Sequence, residues 1–462
     1  MSVIASNKYT LILGMGLTGQ SCVRYLLSKG IRVVVCDSRE APPSLEAFKQ
    51  EFPDVPVQTG PWDESALLGA SEIVISPGLS RKTPAIKKAI AAGVPVIGDI
   101  ELFARQVSKP VIAITGSNGK TTVTTLVGEM VRAAGLKVIV AGNIGTPVLD
   151  TLNNSDTLNN SDTLNNPNTS ESEPDIYVLE LSSFQLESLT SLRPVACTVL
   201  NVSADHMDRY ASLMEYALTK QRIAFGAKHV IANKQDPLTE VPMAEGARRS
   251  CFGLGQPDLK DFGVFDGHIY KGLKPLVAIE ELKIFGEHNY LNAAAALALV
   301  DAAGIDLTAA ISALKDFSGL PHRCQFVAEK NGVRFINDSK ATNVGATVAA
   351  IRGLAADKPN LHIVLGGDGK GADFSPLVQA LAGTTTSVAL IGKDAPKLAG
   401  VLANTANLNI GRCTDLAEAV QYLVGFAQPG DIVLLSPACA SLDMFKNFEA
   451  RGEAFREAVM AL

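Results

Sequence analysis

Residues 111–122, VIAITGSNGKTT, constrain the fold of this chain more than any other part of its sequence. A run of β-branched residues ends in a glycine-rich turn, after which Lys120 and two threonines open a segment with helical hydrophobic spacing. In such a strand–loop–helix unit, backbone N–H groups and the positive end of the helix converge on phosphate. The lysine can reach the β- and γ-phosphates, and the hydroxyl of Thr121 can ligate Mg²⁺. The stretch therefore predicts an ATP site.

This phosphate loop departs from the standard P-loop pattern, in which a glycine stands five residues before the glycine of Gly-Lys. Ile114 occupies that position, and the loop is shorter, with Gly116 and Gly119. An ordinary glycine-containing turn between a strand and a helix is the alternative. The Gly-Lys-Thr sequence at this junction favours phosphate binding.

The length and the net charge of the chain limit the number of domains and the kinds of partner that we expect. A chain of 462 residues is long enough for about three domains. A formal net charge of −6 argues against broad electrostatic binding to nucleic acid or to an acidic membrane. The sequence has no apolar run that could span a bilayer and no signal pattern at its start, so we expect a cytoplasmic protein without membrane insertion. Seven cysteines without a CxxC pair indicate reduced, packed thiols.

A second glycine-rich turn, GxGxxG at residues 14–19, lies near the start of the chain. It separates a predicted strand, 9–14, from a predicted helix, 20–28, and Asp37 follows the next predicted strand, 32–36. This arrangement satisfies the dinucleotide fingerprint, in which glycines let the backbone approach a pyrophosphate. Taken alone, it predicts NAD or FAD about as well as another nucleotide.

Alternating strands and helices predict α/β domains through most of the remaining chain, with boundaries near residues 98 and 319. The further predicted strands lie within 72–78, 94–97, 137–141, 175–185, 195–202, 333–337, 361–365, 388–391 and 431–435, the further helices at 84–92, 123–134, 213–225 and 286–303, and a β-rich irregular region at 235–285.

A polar repeat interrupts the central part of the chain. The hexamer TLNNSD begins at Thr151, is repeated once in full and again in part to Asn166, and the polar composition continues to residue 174. Such a segment has almost nothing to bury. We therefore expect residues 151–174 to form a disordered surface insertion without a chemical role.

Polar residues follow several predicted strands, where α/β proteins place their ligands. Glu180 and His206 stand after strands beside the phosphate loop and are candidate Mg²⁺ ligands, although a single histidine is more often structural. Lys220 lies on the following predicted helix, where a plain lysine touching phosphate is one reading. In the last domain, Lys340 and Lys370 can meet carboxylate or phosphate, or can be exposed turn lysines.

Asn289 and Asn292 stand three residues apart at the start of the predicted helix 286–303, so they share one face. They can hydrogen-bond a base or cap the helix.

Together these motifs resemble the Mur ligases, ATP-dependent amide-forming enzymes of peptidoglycan synthesis, over nearly the whole chain. The resemblance rests on TGSNGKTT at 115–122, GNIG at 142–145, ELSSFQLE at 180–187, DHMDRY at 205–210, GEHN at 286–289 and PHR at 321–323. Within the family, DSKATN at 338–343 and SPACASLD at 436–443 are similar to the member that adds D-glutamate.

The resemblance implies three domains: a Rossmann-like UDP-sugar domain at 1–98, a central P-loop ATPase-type α/β domain at 99–319, and a Rossmann-like amino-acid domain at 320–462. It implies that the first glycine-rich turn cradles a UDP pyrophosphate without a nicotinamide. It further implies that UDP is contacted by Leu17, Thr18, Asp37, Ser38, Arg39 and Gly78.

The resemblance also implies the remaining site residues. ATP is contacted by Gly116, Ser117, Asn118, Gly119, Lys120, Thr121, Thr122, Asn289, Asn292, Arg323 and Asp338. D-glutamate is contacted by Thr342, Lys370, Ser441, Leu442 and Phe448, with His322 and Lys340 near the reacting groups. Two Mg²⁺ ions are held by Thr121, Glu180, His206 and a carbamylated Lys220, and the catalytic set is Lys120, Asn143, His206 and Lys220.

By this resemblance we expect a monomeric ligase whose substrates are ATP, D-glutamate and UDP-N-acetylmuramoyl-L-alanine. Phosphorylation of the carboxylate gives an acyl phosphate, which the D-glutamate amine attacks through a tetrahedral intermediate. Two other classes compete. A nucleotide-dependent oxidoreductase would use the GxGxxG turn and give no role to Lys120, and a nucleotide-gated binding module would leave the polar loops of the last domain unused.

Overall fold

The computed structural model describes residues 8–152, 173–355 and 358–462, and this part of the chain forms three separate sheets, one after another along the sequence. Strands alternate with helices in each unit, which confirms the predicted three-part α/β class. Most of the predicted insertion falls at 153–172, outside the described residues. Thr151 is an exception to that prediction, because it is buried and ends a short 3-10 helix, Val148–Thr151.

The N-terminal sheet has the strand order β3-β2-β1-β4-β5, and all its strands are parallel. Its elements are β1 Thr10–Leu13, α1 Leu17–Ser28, β2 Val33–Asp37, α2 Leu45–Glu51, β3 Val57–Thr59, α3 Glu64–Gly69, β4 Glu72–Ile75, α4 Pro84–Ala91 and β5 Val96–Ile97. Because parallel strands end at the same edge, the GxGxxG turn, Asp37 and Gly78 lie along one edge of this sheet. Helix α1 begins at Leu17, three residues earlier than predicted.

The central sheet has the order β14-β13-β12-β11-β10-β9-β6-β8-β7. Its elements are α5 Asp99–Ala104, β6 Val111–Thr115, α6 Lys120–Ala133, β7 Val138–Gly142, β8 Ile176–Glu180, α7 Ser183–Leu186, β9 Ala196–Val199, α8 Leu213–Gln221, β10 His229–Asn233, β11 Arg248–Leu254, β12 Phe262–Phe265, β13 His268–Lys271, β14 Lys274–Ala278, α9 Glu287–Ala302 and α10 Leu307–Asp316. Strands β6 to β12 run parallel, and β12 to β14 form antiparallel pairs at the edge.

Two predicted elements of the central unit are shorter than expected. Strand β9 ends at Val199, not at residue 202, because Asn201 leaves the sheet to accept a backbone hydrogen bond from Ser117 at 2.9 Å. Helix α8 ends at Gln221 and continues only as a 3-10 turn, Arg222–Ala224, not to residue 225.

The C-terminal sheet has the order β15-β16-β20-β17-β18-β19, with β15 antiparallel to β16 and the other neighbours parallel. Its elements are β15 Gln325–Lys330, β16 Val333–Asn337, α11 Val344–Leu354, β17 Leu361–Gly366, α12 Ser375–Leu381, β18 Thr385–Ile391, α13 Ala395–Leu402, β19 Asn409–Arg412, α14 Leu416–Val424, β20 Ile432–Leu435 and α15 Phe448–Met460. The sequence patterns did not predict β15 or β19, which lie at the sheet edges and are largely exposed.

The boundaries of the hydrophobic cores do not coincide with those of the three sheets. One buried cluster runs from Ile12 in β1 to Val230 in β10 and so joins the N-terminal and central units. Within the described residues, the two clusters of the C-terminal unit contain only residues beyond 323. None of the helices in the described part of the chain has the length and apolar composition needed to cross a membrane.

Candidate functional site

The phosphate loop lies between β6 and α6 and is hydrogen-bonded to the segment that follows β9. The backbone N–H of Asn118 donates to Asn201 Oδ1 at 2.8 Å, and Ser117 Oγ donates to the Ser203 carbonyl at 3.0 Å. Gly119 caps α6 with a φ of +81°, and a Cβ there would stand 2.5 Å from Asn292 Oδ1. Only glycine fits this position, so the loop geometry is fixed by its neighbours.

Lys120 is the first residue of α6, and its side chain folds back over the loop. Its Nζ donates to the carbonyls of Gly116 at 2.9 Å and Ser117 at 3.0 Å. Burial lowers the pKa of Lys120, and the nearby carboxylates of Glu180 and Asp205 oppose that shift. The loop therefore holds a cation at the place where phosphate is expected.

Lys220 lies below the same loop and is 1% exposed. Its Nζ donates to the Gly116 carbonyl at 2.8 Å and stands 4.5 Å from the centre of the Tyr216 ring. Burial, followed by the charge of Lys120, holds the pKa of Lys220 well below its usual range. Two lysine side chains thus share one carbonyl acceptor, an arrangement that favours the uncharged form of the more buried amine.

Glu180 is the last residue of β8 and is 2% exposed. Its Oε1 accepts from Asn143 Nδ2 at 3.0 Å, whereas its Oε2 is buried without a hydrogen-bond partner among the described residues. A buried carboxylate oxygen without a donor is costly unless a cation accompanies it, so Glu180 fits the predicted role of a metal ligand.

His206 follows β9 and has a left-handed backbone, with φ of 57°. Its Nε2 lies 3.7 Å from Asp205 Oδ2, and its ring packs edge-on against Phe184 at 4.8 Å. Burial lowers the pKa of His206, which favours the neutral ring that metals bind. Among the described residues, no group of three or more His, Cys, Asp or Glu side chains could hold a metal ion. A divalent cation here would therefore rely on few side chains and on phosphate and water oxygens.

The residues expected to contact adenosine lie on two units. Asn289 Nδ2 donates to the Phe285 carbonyl at 2.8 Å, and Asn292 stands against Gly119. Neither asparagine caps α9, because its N-cap is Gly286 without a side-chain hydrogen bond, so the capping alternative is wrong. Burial raises the pKa of Asp338 to about 7, and its oxygens accept from Ser436 Oγ at 2.8 Å and from the Cys324 N–H at 3.2 Å. Asp338 therefore organises its own unit, a role that the sequence did not indicate.

Arg323 lies on the chain segment that enters the C-terminal unit and is partly buried. Burial lowers the pKa of Arg323, and the carboxylates of Glu180 and Asp338 oppose that shift. Its charge therefore acts on both units at once.

At the N-terminal sheet, the GxGxxG turn is closed tightly. A Cβ on Gly19 would stand 2.0 Å from the Gly14 carbonyl oxygen, so the first turn of α1 packs directly on the loop. Asp37 Oδ2 accepts from the Met15 N–H at 3.0 Å, and Arg39 pairs with the same carboxylate at 2.7 Å. Hydrogen bonding from Arg39 holds the pKa of Asp37 below its usual value. The acid of the fingerprint is thus engaged within the protein.

The other predicted UDP contacts line the open edge beside this turn. Leu17 is 74% exposed, and Ser38, Arg39 and Gly78 are also exposed, while Thr18 is half-buried. Their roles stay predictions.

The predicted D-glutamate residues lie on loops that the fold joins together. Asp368 and Ala440 exchange two backbone hydrogen bonds, at 3.0 and 2.8 Å, so the loop that carries Lys370 is paired with the loop that carries Ser441 and Leu442. Phe448 begins α15, and Lys340 Nζ stands 3.7 Å from the centre of its ring. Burial lowers the pKa of Lys340 to about 8.

Lys370 faces the central unit, and Thr342 is followed by a residue that contacts it. Lys370 is exposed, with Nζ 3.9 Å from Asp205 Oδ1, and Thr342 directly precedes a contact of Asn343 with the phosphate loop.

Arg451 is a residue of this region that no sequence motif indicated. It is 1% exposed on α15, and its guanidinium donates to the carbonyls of Cys439 at 3.0 Å and Ser339 at 2.8 Å. It therefore ties together the two loops that carry Asp338 and Ser441. An arginine in a charged segment such as EARGEAFRE is usually exposed, so no local pattern could have identified it.

Backbone strain provides a signal that only the structure contains. Among the described residues, eight residues other than glycine have a positive φ. Five of them lie on the loops of this region: His206, His322, Cys324, Lys370 and Ala438. Such conformations persist where surrounding structure enforces them and are frequent at functional sites. Their concentration marks the region where the central and C-terminal units meet.

Comparisons with known proteins follow the same division into three units. Three family models match the chain: "Mur ligase MurD-like, N-terminal domain" over residues 8–98, "Mur ligase middle domain" over 114–300, and "Mur ligase, glutamate ligase domain" over 322–439.

Curated relatives match the chain over its whole length. A protein of Pseudomonas putida named UDP-N-acetylmuramoylalanine–D-glutamate ligase is 48% identical over 467 aligned positions, covering 100% of this chain and 99% of that protein. A protein of the same name from Marinobacter nauticus is 49% identical and is covered completely.

Solved structures share the fold at low sequence identity. A MurF ligase from Thermotoga maritima in complex with ADP superposes with a TM-score of 0.59 at 18% identity, covering 98% of this chain and 96% of that one. A pseudomurein peptide ligase type C from Methanothermus fervidus superposes with a TM-score of 0.58 at 20% identity, covering 98% and 100%.

Proposed function

Because the chain belongs to the Mur ligase family, we propose that it joins D-glutamate to UDP-N-acetylmuramoyl-L-alanine with the conversion of ATP to ADP and phosphate, in the synthesis of peptidoglycan precursors. The observation that carries the proposal is the full-length identity of about half the residues to relatives named for this reaction. The geometry of the phosphate loop, with Lys120 and Lys220 beside Glu180, supports the ATP-dependent part of it.

In the first step two negatively charged groups must meet. A carboxylate oxygen of the muramoyl-alanine substrate bonds to the γ-phosphorus of ATP, the bond to the bridging oxygen breaks, and ADP leaves. The ammonium of Lys120, held at the mouth of the loop by two carbonyls, offsets the charge that accumulates on the phosphate oxygens. Asn143 lies beside Glu180 and can orient the attacking carboxylate.

The second step forms the amide. The amine nitrogen of D-glutamate bonds to the acyl carbon, the tetrahedral intermediate expels phosphate, and the nitrogen releases a proton. D-glutamate has two carboxylates, which suits a pocket in which Lys370 and Thr342 bind one of them and Ser441 with neighbouring backbone binds the other. Leu442 and Phe448 would border it, and His322 and Lys340 would stand near the reacting groups.

We assign the metal ligands in the same proposal. Thr121 and Glu180 would hold one Mg²⁺, and His206 with a carbamylated Lys220 would hold a second. Mg²⁺, when bound, supplies positive charge between the phosphate oxygens and these side chains. The orphaned Oε2 of Glu180 supports the first assignment, and the buried Lys220 amine, which has no carboxylate partner among the described ion pairs, supports a modification that needs an uncharged amine.

The remaining expectations belong to the same proposal. Domains at 1–98, 99–319 and 320–462 would bind the UDP-sugar, ATP and the amino acid, respectively, in a monomeric cytoplasmic enzyme. ATP would be contacted by the phosphate loop and by Asn289, Asn292, Arg323 and Asp338. The UDP end would lie along the edge that carries Leu17, Thr18, Asp37, Ser38, Arg39 and Gly78.

The test is release of phosphate from ATP and Mg²⁺ with UDP-N-acetylmuramoyl-L-alanine, in the presence and absence of D-glutamate. We expect release that requires D-glutamate and that falls by about a hundredfold or more in Lys120→Ala, since the lost ammonium acts on the charge of the transition state. Lys260→Ala is the matched control, because Lys260 is exposed in the turn between β11 and β12.

Different outcomes would redirect the proposal. Release with another amino acid, but not with D-glutamate, would keep the mechanism and overturn the assignments at Thr342, Lys370 and Ser441. No release with any acceptor, in a protein that remains folded, would reject the ligase function.

A further inference from the structure

Helix α11 lies against the central unit along its length, and a glycine near each end allows this approach. A Cβ on Gly345 would stand 2.7 Å from Ser203 Oγ and 3.0 Å from Ser203 Cβ. At the other end, a Cβ on Gly353 would stand 3.0 Å from His288 Nδ1 and 3.4 Å from the Cα of Gly286. At Gly345, rotation of the Ser203 side chain would relieve the 2.7 Å distance to Oγ. It would not relieve the 3.0 Å distance to Cβ, because that atom is fixed to the backbone.

The residue before this helix makes a direct bond to the phosphate loop. Asn343 is the N-cap of α11, with Oδ1 accepting from the Ala346 N–H at 2.9 Å, and its Nδ2 donates to Asn118 Oδ1 at 3.1 Å. Asn118 Nδ2 in turn donates to Ser203 Oγ at 3.3 Å. The cap bonds to Asn118 and the glycine lies against Ser203, so both rest on two residues of the central unit that are bonded to each other.

We propose that Asn343 and Gly345 are positioning residues that set the distance between the amino-acid loop of the C-terminal unit and the phosphate loop. The inference rests on the proposed function, because Thr342, which directly precedes Asn343, is assigned there to D-glutamate. With no side chain at Gly345, α11 comes to rest on Ser203, and the Asn343–Asn118 bond fixes its position along the loop.

The chemistry makes this distance important. The amine held by the C-terminal unit must reach the acyl phosphate formed over the central unit, and reacting atoms need to approach within about 3–3.5 Å before the bond forms. A displacement of α11 by a few tenths of an ångström would separate the two partners without altering either binding loop. ATP binding, which depends mainly on the central unit, would be affected much less.

The test is Gly345→Ala, which adds only the methyl group that meets Ser203. We expect kcat for amide formation to fall about five- to tenfold because of the misplacement, while KM for ATP stays within twofold. The melting temperature should not fall, since alanine is favoured over glycine in a helix. Gly345→Ala combined with Ser203→Gly removes the clash and should regain most of the lost kcat.

Gly400→Ala is the matched control, because Gly400 lies on helix α13 of the same unit with open space around its Cβ position. Its kcat should equal that of the wild type. A merely structural effect of Gly345→Ala would lower the melting temperature and would not respond to Ser203→Gly. Equal kcat values in the two glycine variants, or no recovery in the double variant, would overturn the inference.

Hydrogen–deuterium exchange separates this inference from the proposed function, since it needs no turnover. Peptides that contain residues 116–120 and 343–347 should exchange faster in Gly345→Ala than in the wild type or in Gly400→Ala. Unchanged exchange overturns the positioning role whatever the assay shows. If exchange is faster in Gly345→Ala as expected but the wild-type protein forms no amide, the result counts against the proposed function alone.

Discussion

The central sheet meets the N-terminal sheet through a shared hydrophobic core, whereas it meets the C-terminal sheet through small and polar side chains. The first contact, the N-terminal interface, comprises helix α5, the loop 77–82 and the side chains of Glu187 and Arg209. The second, the C-terminal interface, comprises Asn118 with Asn343, Ser203 with Gly345, and His288 with Gly353. Separating the units at the N-terminal interface costs more free energy, because it exposes apolar surface to water.

Arg209 is the centre of the N-terminal interface. It pairs with Glu187 through two hydrogen bonds, at 3.0 and 2.9 Å, and donates to the carbonyls of Pro77 and Leu79 at 2.9 and 3.0 Å. Its guanidinium stacks on Phe184 at 4.0 Å. The loop expected to contact UDP is thus bonded to the segment that carries His206.

Helix α5 strengthens the same interface from the connecting segment. Residues Asp99 to Phe103 are all buried, and the Glu101 carboxylate accepts from the N–H groups of Thr190 and Ser191 at 2.8 and 3.0 Å. Because this helix is packed on both sides, the connection between the two units is part of a core and leaves little freedom to rotate.

The C-terminal interface buries no comparable cluster among the described residues. Its hydrogen bond, close approaches and a 3.9 Å ion pair between Lys370 and Asp205 can be broken and re-formed at low cost. We therefore expect the N-terminal and central units to behave as one body and the C-terminal unit to be the part that moves. In the proposed function, two substrates would lie on the first body and the third on the movable unit, which suits a two-step reaction.

The largest expected effect comes from breaking the N-terminal interface with Arg209→Ala. Removing Arg209 leaves the Glu187 carboxylate without its cation, with only the Tyr210 hydroxyl donating to it at 3.0 Å, and leaves two carbonyls without this donor. The protein should lose roughly 2–4 kcal/mol of stability, because the ion pair is mostly buried. KM for the UDP-linked substrate should rise more than KM for D-glutamate. Chemical denaturation and steady-state kinetics measure both. Arg132→Ala, which removes an exposed pair with Glu129, is the control, and equal losses in the two variants would show that this interface is not rigid.

The next effect concerns the buried carboxylate of Asp99 at the same interface. Burial raises the pKa of Asp99 to about 6, above the 3.8 of an exposed aspartate, and its Oδ1 has no partner among the described residues. The folded state therefore binds the proton more tightly than the unfolded state, and the contribution of this group to stability falls as pH rises from about 4 to 6.

Asp99→Asn should remove this dependence and stabilise the protein by roughly 3 kcal/mol at pH 7. Unfolding free energies at pH 4.5 and 7 measure the difference, and Asp54→Asn, at an exposed aspartate, should leave the slope unchanged. An equal slope in the wild type and Asp99→Asn would contradict the prediction.

A smaller effect is expected at the C-terminal interface. Asn343→Ser retains a good helix cap but lacks the amide that reaches Asn118, so the loss should be about 1 kcal/mol, near fivefold, in kcat/KM for D-glutamate. Stability should change little. Double-mutant analysis with Asn118→Ala tests the bond, and additive effects of the two substitutions would show that it contributes nothing to closure.

The smallest effect is expected for Lys82→Ala. Lys82 pairs with Glu215 at 2.7 Å across the N-terminal interface, but its side chain is 52% exposed. Surface ion pairs contribute roughly 0.2–1 kcal/mol and are screened by salt, so stability and all KM values should stay near those of the wild type. A loss comparable to that of Arg209→Ala would mean that charge, not burial, holds this interface.

The sequence alone determined the parts of this protein that depend on neighbouring residues. The strand–glycine loop–helix unit around Lys120, the GxGxxG turn after β1 and the position of Glu180 at the end of β8 all follow from local patterns, and the structure confirms these positions. Hydrophobic periodicity and turn residues act within about ten positions, which is why these predictions succeed. The resemblance to one family then supplied the order of the three units.

Tertiary structure decided the contacts between distant parts of the chain. Asn343 and Asn118 are 225 residues apart, and the bond from Arg451 to Ser339 spans 112 residues. Asp37 completes the dinucleotide fingerprint in the sequence, and only the fold shows that its carboxylate accepts from the Met15 N–H and from Arg39. Whether a polar side chain faces solvent, a ligand or another domain depends on what packs beside it, and that is set by the arrangement of the sheets, which local periodicity does not contain.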